Sequence, residues 1–542
     1  DIDHPDIEEF IETKAREENK IRALRDAGYD MDLGGKDITS VQYQNANNSV
    51  RVSDEFMRAV EEDTDFALRA RMTNEVIERV PAKKLFRTIA QAAWECADPG
   101  IQYDGIINDW HTCPESGRIT ASNPCFPADQ RVLTDSGLVP IGELVRRAAE
   151  GETFAVYTND VTNEDAPSSA VVATHPTRYL VTGTKEVLEL RFRDGSRLRC
   201  TPNHRIWTEN KGWVRAEDLA AEDRVVRSVE YAPRPHAGAA LPTPAVDAGR
   251  IARGRPLAHV PEKWSPELAG YLGWLIGGGC LTGAGAVSVY AGDWEREQLM
   301  PRHRELLASI TGVAGKPSVQ PNGTVQLRAM RGRFATFLEM LGVSRERAAV
   351  KTVPDSLFEA PEESVRAFLR ALFDADGSVV DQDAKETRYV GLGSRSEELL
   401  IGIQELLASF GVLARIDRTG VREASFRYPR ADGTEAVYGS DGPSFDLRIS
   451  GRHIARFARH VGFDHPAKAE RLAEVIANDA THQVDETTRL VSRESRGFET
   501  TYNLTEPRNH SYVVGGVVVA NCSEYMHLDN SSCNLASLNL LA

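Results

Sequence analysis

At 542 residues the chain is too long for one ordinary hydrophobic core, so several domains are expected. Hydrophobic residues make up 41% and can fill sizeable cores, while no apolar run reaches bilayer-spanning length, so no membrane partner is expected. The net charge of −16 is uneven: residues 1–124 hold 25 acidic and 15 basic groups, 522–542 hold only Glu524 and Asp529, and 125–521 hold 53 acidic and 49 basic.

Taken in chain order, the N-terminus DIDHPDIEEF is acidic, with no starting Met and no signal-peptide pattern, and the chain reads as part of something longer. Residues 5–95 read as amphipathic helix, in FIETKAREENKIRALRDAG up to a Gly stop and again in DEFMRAVEEDTDFALRARMTNEVIERV. YDGIINDWHTCPESGRITASNP is loop-like. After Cys125 the texture changes. RVLTDSGLVPIGEL reads as strand, turn and strand, and VLELRFRDGSRLRCT as a hairpin, with Leu188, Leu190 and Phe192 alternating before an Asp194-Gly195 turn. Residues 232–262 are Pro-, Ala- and Gly-rich and read as a linker; mixed helix and strand follow to about 470. Short strands return in TYNLTEP and SYVVGGVVVAN. The seven cysteines (Cys96, Cys113, Cys125, Cys200, Cys280, Cys522, Cys533) form no CxxC pair and no zinc spacing, and their odd number points to a reducing, cytoplasmic compartment.

Two stretches answer each other. NPCFPADQRVLT places Cys125 after Asn123-Pro124, and VVVANCSEYM places Cys522 after Asn521. Read across the gap, SNP joins CSEYMHLDNSSC, and both the insert and the resumed text begin with Cys. Together with CTPNHRIWT (Thr201 and His204) and TYNLTEPRNHSYVVGGVVVAN (His510), these stretches resemble an intein of 397 residues, 125–521, inside a host protein. The resemblance implies a β-rich Hint-type splicing domain in two parts, 125–245 and 471–521, with a linker at 246–264 and a second domain at 265–470.

The chemistry accounts for the residue types. A thiolate is the best natural nucleophile near neutral pH. Cys125 would attack the Pro124 carbonyl to form a thioester; His204 would protonate the departing nitrogen, with Thr201 holding the bond. Cys522 would then take over the N-terminal segment, Asn521 would cyclise and break the chain, and a sulfur-to-nitrogen shift would join Pro124 to Cys522. The sequence departs from the family pattern at Ala520, where His is common, and at Asn503, where an acid is common; His510 is left to carry more of the later proton transfer. Pro124 restricts the geometry of the first scissile bond.

LAGYLGWLIGGGCL (268–281) and VRAFLRALFDADGSV (365–379) resemble the paired motif of LAGLIDADG homing endonucleases, an α/β domain in two halves. Gly273, Gly277, Ala371 and Ala375 would let the two helices approach closely, and an acid closing each helix would bind Mg2+ for two-strand cleavage. Asp376 supplies one acid, Lys351 in KTVPDSLF is a second match, and SEELLIGIQELLASFGVLARI reads as an amphipathic helix. Gly278 stands where the other acid is expected, so the resemblance implies a decayed nuclease unless Asp293 or another carboxylate substitutes. Arginines 328, 331, 333, 345 and 347, and 415, 418, 422, 427 and 430, are candidates for phosphates of double-stranded DNA, against the alternative of a solvated face.

ECADPGIQYDGIINDWHTCPESGRITASNP joined to CSEYMHLDNSSCNLASLNLL resembles class II, adenosylcobalamin-dependent ribonucleotide reductases. The flanks, 1–124 (largely helical) and 522–542, would be fragments of that family's α/β barrel. The resemblance implies a ribonucleotide substrate (di- or triphosphate), a thiol reductant such as thioredoxin, Cys522 as the radical-carrying cysteine, Glu524 as base on the 3′-hydroxyl, Asn123 on the substrate hydroxyls and Cys533 in the redox pair. Cys96 and Cys113 read as ordinary residues. The alternatives are a reductase with a retained, non-splicing insert, and a DNA-binding homing protein.

Overall fold

A computed structural model describes residues 2–31, 36–37, 41, 49–70, 75–96, 99–105, 125–159, 171–228, 231–233, 240–242, 259–345, 348–382, 387–421, 424–429, 435–440, 443–478 and 486–521. The chain divides into two compact units, 1–122 with 525–542, and 123–524.

In the first unit the helix Ile7–Asp26 buries Ile7, Ile11 and Ala15 on one stripe. Ser53 caps the helix Asp54–Glu61 by accepting from the Phe56 N–H at 3.2 Å. That helix is only two turns long, where the sequence reading carried helix on to 80. Asp63 takes φ 54°, and Asp65–Arg69 and Val76–Pro81 then pair as an antiparallel hairpin. Phe66, Ala67 and Leu68 are buried in succession, and Phe66 meets Phe56 edge-on at 5.1 Å; this burial outweighs the helical spacing of the charges. The helix Ala82–Cys96 covers the same core, and Ser49–Val52 pairs in parallel with Gly100–Tyr103. The flank is therefore mixed α/β, and no closed barrel forms among the described residues.

The second unit holds two kinds of structure. One is β-rich. The strand Arg178–Phe192 runs antiparallel to Leu490–Thr505 over nearly its whole length, flanked by Arg197–Cys200 and by Phe126–Pro127. The expected 188–200 hairpin is present, with Leu190 and Phe192 buried. A larger sheet contains the hairpin Ser511–Val514/Val517–Ala520 at its centre, with Arg205–Thr208 on one side and Arg131–Thr134 on the other. Gly515 and Gly516, both at positive φ, make the turn. Phe126 pairs with Tyr502, so the beginning and the end of 125–521 meet in one sheet.

The other part is α/β and repeats itself. Helix Pro266–Gly278 is followed by a sheet ordered Gly279–Thr282, Gly285–Tyr290, Val325–Ala329, Lys316–Val319; helix Glu362–Asp376 is followed by Gly377–Gln382, Thr387–Ser394, Pro443–Ser450, Arg415–Val421. The order of strands along the chain is the same in both halves, and each half carries a further helix between its hairpins, Met300–Thr311 and Glu397–Ala408. The two leading helices touch through their small residues. A Cβ on Gly273 would lie 2.2 Å from the Phe368 carbonyl oxygen, and one on Gly277 would lie 2.8 Å from the Ala375 Cβ. Trp264, placed in the linker by the sequence reading, is 8% exposed and donates to the Ser356 carbonyl at 3.3 Å.

Candidate active site

Cys125 begins the β-rich part and is fully buried. Thr201, at the end of the 188–200 hairpin, meets it twice. The Cys125 N–H donates to Thr201 Oγ1 at 2.9 Å, and the Thr201 N–H donates to the Cys125 carbonyl at 2.9 Å. The nitrogen held by Thr201 is the one that a break between Pro124 and Cys125 would release.

His204 follows one turn later, its N–H donating to the Thr201 carbonyl at 2.9 Å. Its ring is fully buried and lies 4.1 Å, centroid to centroid, from Phe126. Burial drives its pKa down to about 3; main-chain groups of Ala520 and Cys125 face the ring and pull weakly the other way. These groups fall short of hydrogen-bond geometry, and among the described residues neither ring nitrogen has a partner. The imidazole is thus neutral at pH 7 and, once protonated, a strong acid.

Asn521 closes the strand Val517–Ala520. Its N–H donates to the His510 carbonyl at 3.0 Å, and its Nδ2 donates to the Glu506 carbonyl at 2.5 Å. His510 sits at φ 52° with its side chain exposed, so it meets Asn521 through its main chain. Asn503 is buried, and its Oδ1 accepts from the Tyr512 hydroxyl and the Leu504 N–H, both at 2.7 Å. Tyr512 in turn meets Phe126 edge-on at 5.9 Å, linking Asn503 through two rings to His204.

Two participants escaped the sequence reading. Lys185 Nζ lies 3.2 Å from Cys125 Sγ. Glu506 is buried, with its carboxylate accepting the N–H groups of Arg508 and Asn509 at 2.7 Å each, which fixes the turn whose carbonyl holds Asn521. Neither residue belongs to a recognisable spacing; pairing of strand 178–192 with 490–505 was the one signal that could have placed Lys185 beside Phe126.

A second site lies where the two leading helices of the α/β part end. Asp376 closes one helix and Gly278 the other. Lys351 caps the acid-free end, its Nζ donating to the carbonyls of Ile276 at 2.6 Å and Gly279 at 3.2 Å. Asp376 retains open surface, yet the packing around its carboxyl pushes its pKa up, while Lys351 and Lys468 oppose the rise. Asp374, two residues earlier, points away and accepts from the N–H groups of Asp464 and His465. Asp293 pairs with Arg296. A cavity of about 640 Å3 beside Asp376 is lined by Lys351, Tyr389, Arg395, Arg448 and Asp446, whose carboxylate is held by Arg448 at 2.8 Å. One carboxylate beside an ammonium does not fit a divalent cation, and no group of three or more His, Cys, Asp or Glu gathers among the described residues. Arg328, Arg415 and Arg418 are exposed, Arg415 beside Asp417 at 2.7 Å; Arg345 pairs with Glu339. Asn123, Cys522, Glu524, Cys533 and Cys113, with Arg347, Arg422 and Arg430, lie outside the described residues.

The family model described as "Ribonucleotide reductase, barrel domain" matches residues 1–542. A vitamin B12-dependent ribonucleotide reductase of Streptomyces clavuligerus is 79% identical over 125 residues, which are 23% of this chain and 13% of the relative. The alpha subunit of the ribonucleoside-diphosphate reductase NrdEB of Bacillus subtilis is 22% identical, covering 99% of this chain and 51% of the relative. Among solved structures, a mutant of the Ssp DnaB mini-intein covers 73% of this chain and 98% of its own, at 11% identity and TM-score 0.23. The homing endonuclease I-DmoI in complex with DNA and calcium covers 39% and 98%, at 17% identity and TM-score 0.26. The chain spans about an eighth of the length of the B12-dependent relative.

Proposed function

The chain belongs to the ribonucleotide reductase barrel-domain family, and we propose that it is the precursor of a B12-dependent member whose residues 125–521 excise themselves by protein splicing. The observation that carries this reading is the reciprocal pair between Cys125 and Thr201, with the neutral His204 ring beside it.

In the proposed first step Cys125 Sγ bonds to the Pro124 carbonyl carbon and the carbon–nitrogen bond breaks. Thr201 Oγ1 holds the departing N–H, and His204, in its protonated form, delivers the proton that makes the nitrogen a leaving group. Cys522 Sγ then displaces Cys125 Sγ from the acyl carbon. Asn521 Nδ2 attacks its own carbonyl carbon, expels the Cys522 nitrogen and leaves a succinimide; the bond to the Glu506 carbonyl orients that nitrogen. Transfer of the acyl group from Cys522 sulfur to nitrogen restores a peptide bond from Pro124 to Cys522.

The reductase roles proposed for Asn123, Cys522, Glu524 and Cys533 require this joining, because the insert separates Asn123 from Glu524. Ribonucleotide substrate, thiol reductant and adenosylcobalamin are proposed for the whole reductase, of which this chain is a segment. For the α/β part we propose DNA binding without Mg2+-dependent double-strand cleavage, supported by Asp376 closing one leading helix while Gly278 closes the other, with Lys351 at the acid-free end.

Intact-mass measurement of the purified chain in reducing buffer tests the reading. A 397-residue insert and a joined 145-residue product are expected from the two junctions, and Asn521→Ala is expected to block release of the C-terminal segment. Ala520 and the exposed His510 side chain favour the rival reading of a retained insert. A folded chain that keeps its full mass on long incubation would decide for that rival.

A further inference from the structure

We infer that Lys185 is a catalytic residue of the first splicing step, its ammonium holding the Cys125 sulfur as the thiolate. This rests on the splicing reading and names a group that reading lacks.

Three observations converge. Lys185 Nζ is within 3.2 Å of Cys125 Sγ, a donor aimed at the reacting atom. The strand that carries it is irregular on both sides: its register with the strand 490–505 shifts between Val181 and Gly183 and again between Glu186 and Leu188. Such bulges re-aim a side chain, and here the re-aimed residue is Lys185. Gly183, at φ 85°, allows the first of them, and its carbonyl accepts from Thr501 Oγ1 at 2.9 Å. Finally, Cys125 is fully buried, where a thiolate needs a compensating charge. His204 does not supply it, since burial keeps that ring neutral.

Three ionisable neighbours among the described residues have settled roles of their own. Glu499 lies opposite it across the sheet and its carboxylate is taken by Arg199, which also holds Asp129. Glu186, the next residue, accepts from Ser495 Oγ at 2.7 Å. Cys200 is buried with its thiol pushed up, so it does not compete as a nucleophile. Lys185 Nζ meets the Cys125 sulfur directly. An adjacent cation lowers a thiol pKa and raises the thiolate fraction at neutral pH.

The step balances without a redox partner. The Cys125 thiol releases its proton, the sulfur–carbon bond to Pro124 forms, the carbon–nitrogen bond breaks, and one proton is returned to the Cys125 nitrogen. Lys185 stays protonated throughout and transfers nothing.

The test uses the full chain carrying Asn521→Ala and Cys522→Ala, which stops at the Cys125 thioester. Dithiothreitol then cleaves at Cys125, and the rate is followed by mass against pH for the parent, Lys185→Met and Lys185→Arg. Lys185→Met is expected to move the inflection up by about one pH unit and to slow cleavage at pH 7 by about tenfold, with rates converging in alkali. Lys185→Arg is expected to keep the parent profile. Circular dichroism checks the fold, and Lys185→Gln is read in the same way should the Met variant unfold. A Met or Gln variant with the parent's profile overturns the inference and leaves splicing standing, as does an equal loss at every pH, which marks a structural role. A parent that forms no thioester at any pH overturns the splicing reading and this inference with it.

Discussion

Gly273 and Gly270 lie one turn apart on the helix Pro266–Gly278, and the structure assigns them opposite responses to one methyl group. A Cβ on Gly273 would stand 2.2 Å from the Phe368 carbonyl oxygen and 3.1 Å from the Leu372 nitrogen, both backbone atoms of the facing helix. Ordinary contact begins at 3.4 Å, so the helices must part by about 1 Å along that line. Backbone cannot rotate aside, so the upper end of the overpacking cost applies, about 3 kcal/mol, against about 1 kcal/mol returned by replacing a helical glycine. The net loss of about 2 kcal/mol lowers the melting temperature by about 4–8 °C for a unit of this size. A Cβ on Gly270 would meet its nearest neighbour, the Ala367 carbonyl oxygen, at 3.8 Å, so Gly270→Ala keeps only the helix gain and raises the transition by about 2–4 °C. Scanning calorimetry on the chain locked against splicing by Cys125→Ala and Asn521→Ala reads both. A Gly273→Ala transition as high as that of Gly270→Ala would refute the close helix contact on which the two-fold arrangement depends.

Thr201→Ala leaves the Cys125 N–H unpaired in a buried place, a loss of about 1–3 kcal/mol, so thioester cleavage in the Asn521→Ala background should slow by about 10–100-fold while Thr201→Ser keeps most of the rate; equal rates for Ala and parent would count against the assigned contact. Gly278→Asp is sterically open, since the nearest atom to its Cβ would be the Val289 carbonyl oxygen at 3.6 Å; the variant should gain a melting temperature that rises with added Mg2+, and a transition indifferent to Mg2+ would argue against the missing acid as the defect. His303, buried beside the Tyr290 hydroxyl at 2.8 Å and held down to about 3 by desolvation, contributes stability that is complete above about pH 6.5 and is lost as pH falls toward 3, with a slope of up to about 1.4 kcal/mol per pH unit. Asp374, pushed up to about 6 by burial, acts in the opposite sense. The comparison is therefore between parent and His303→Gln melts from pH 5 to 7: the variant should lose less on acidification, and parallel curves would exclude the histidine.

What the sequence made legible was local. Residue pairs that define hairpins, such as Asp194-Gly195 or Gly515-Gly516, impose their turns wherever the chain goes, and the alternation of Leu188, Leu190 and Phe192 sets a buried face. The small residues of the two motif helices were equally readable, because only glycine permits the contact between Gly273 and Phe368. Cys125, Thr201 and His204, which the structure brings together, announced themselves by type. Lys185 and Glu506 did not, since each reaches its partner across a strand pairing or through a turn that nothing nearby in sequence encodes. The hairpin at 65–81 was misread as helix for a related reason: short amphipathic text carries both periods, and burial of Phe66 against Phe56 selects one.

The strand Val225–Val226 pairs with Thr487–Thr488, and the Arg227 N–H donates to the Glu486 carbonyl at 3.3 Å. The path thus leaves the larger β-sheet and re-enters it at touching points, and topologically everything between is the loop of a hairpin. A tight turn can bridge that gap, so the inserted α/β body is free to drift or be trimmed away without cutting any strand that holds Cys125 or Asn521. What limits such trimming is surface chemistry: Leu133, Leu138, Tyr157 and Val513 share a core with the inserted body. A shortened descendant would bare them to water, and polar replacements at those four positions are the change that would let the smaller form stay soluble.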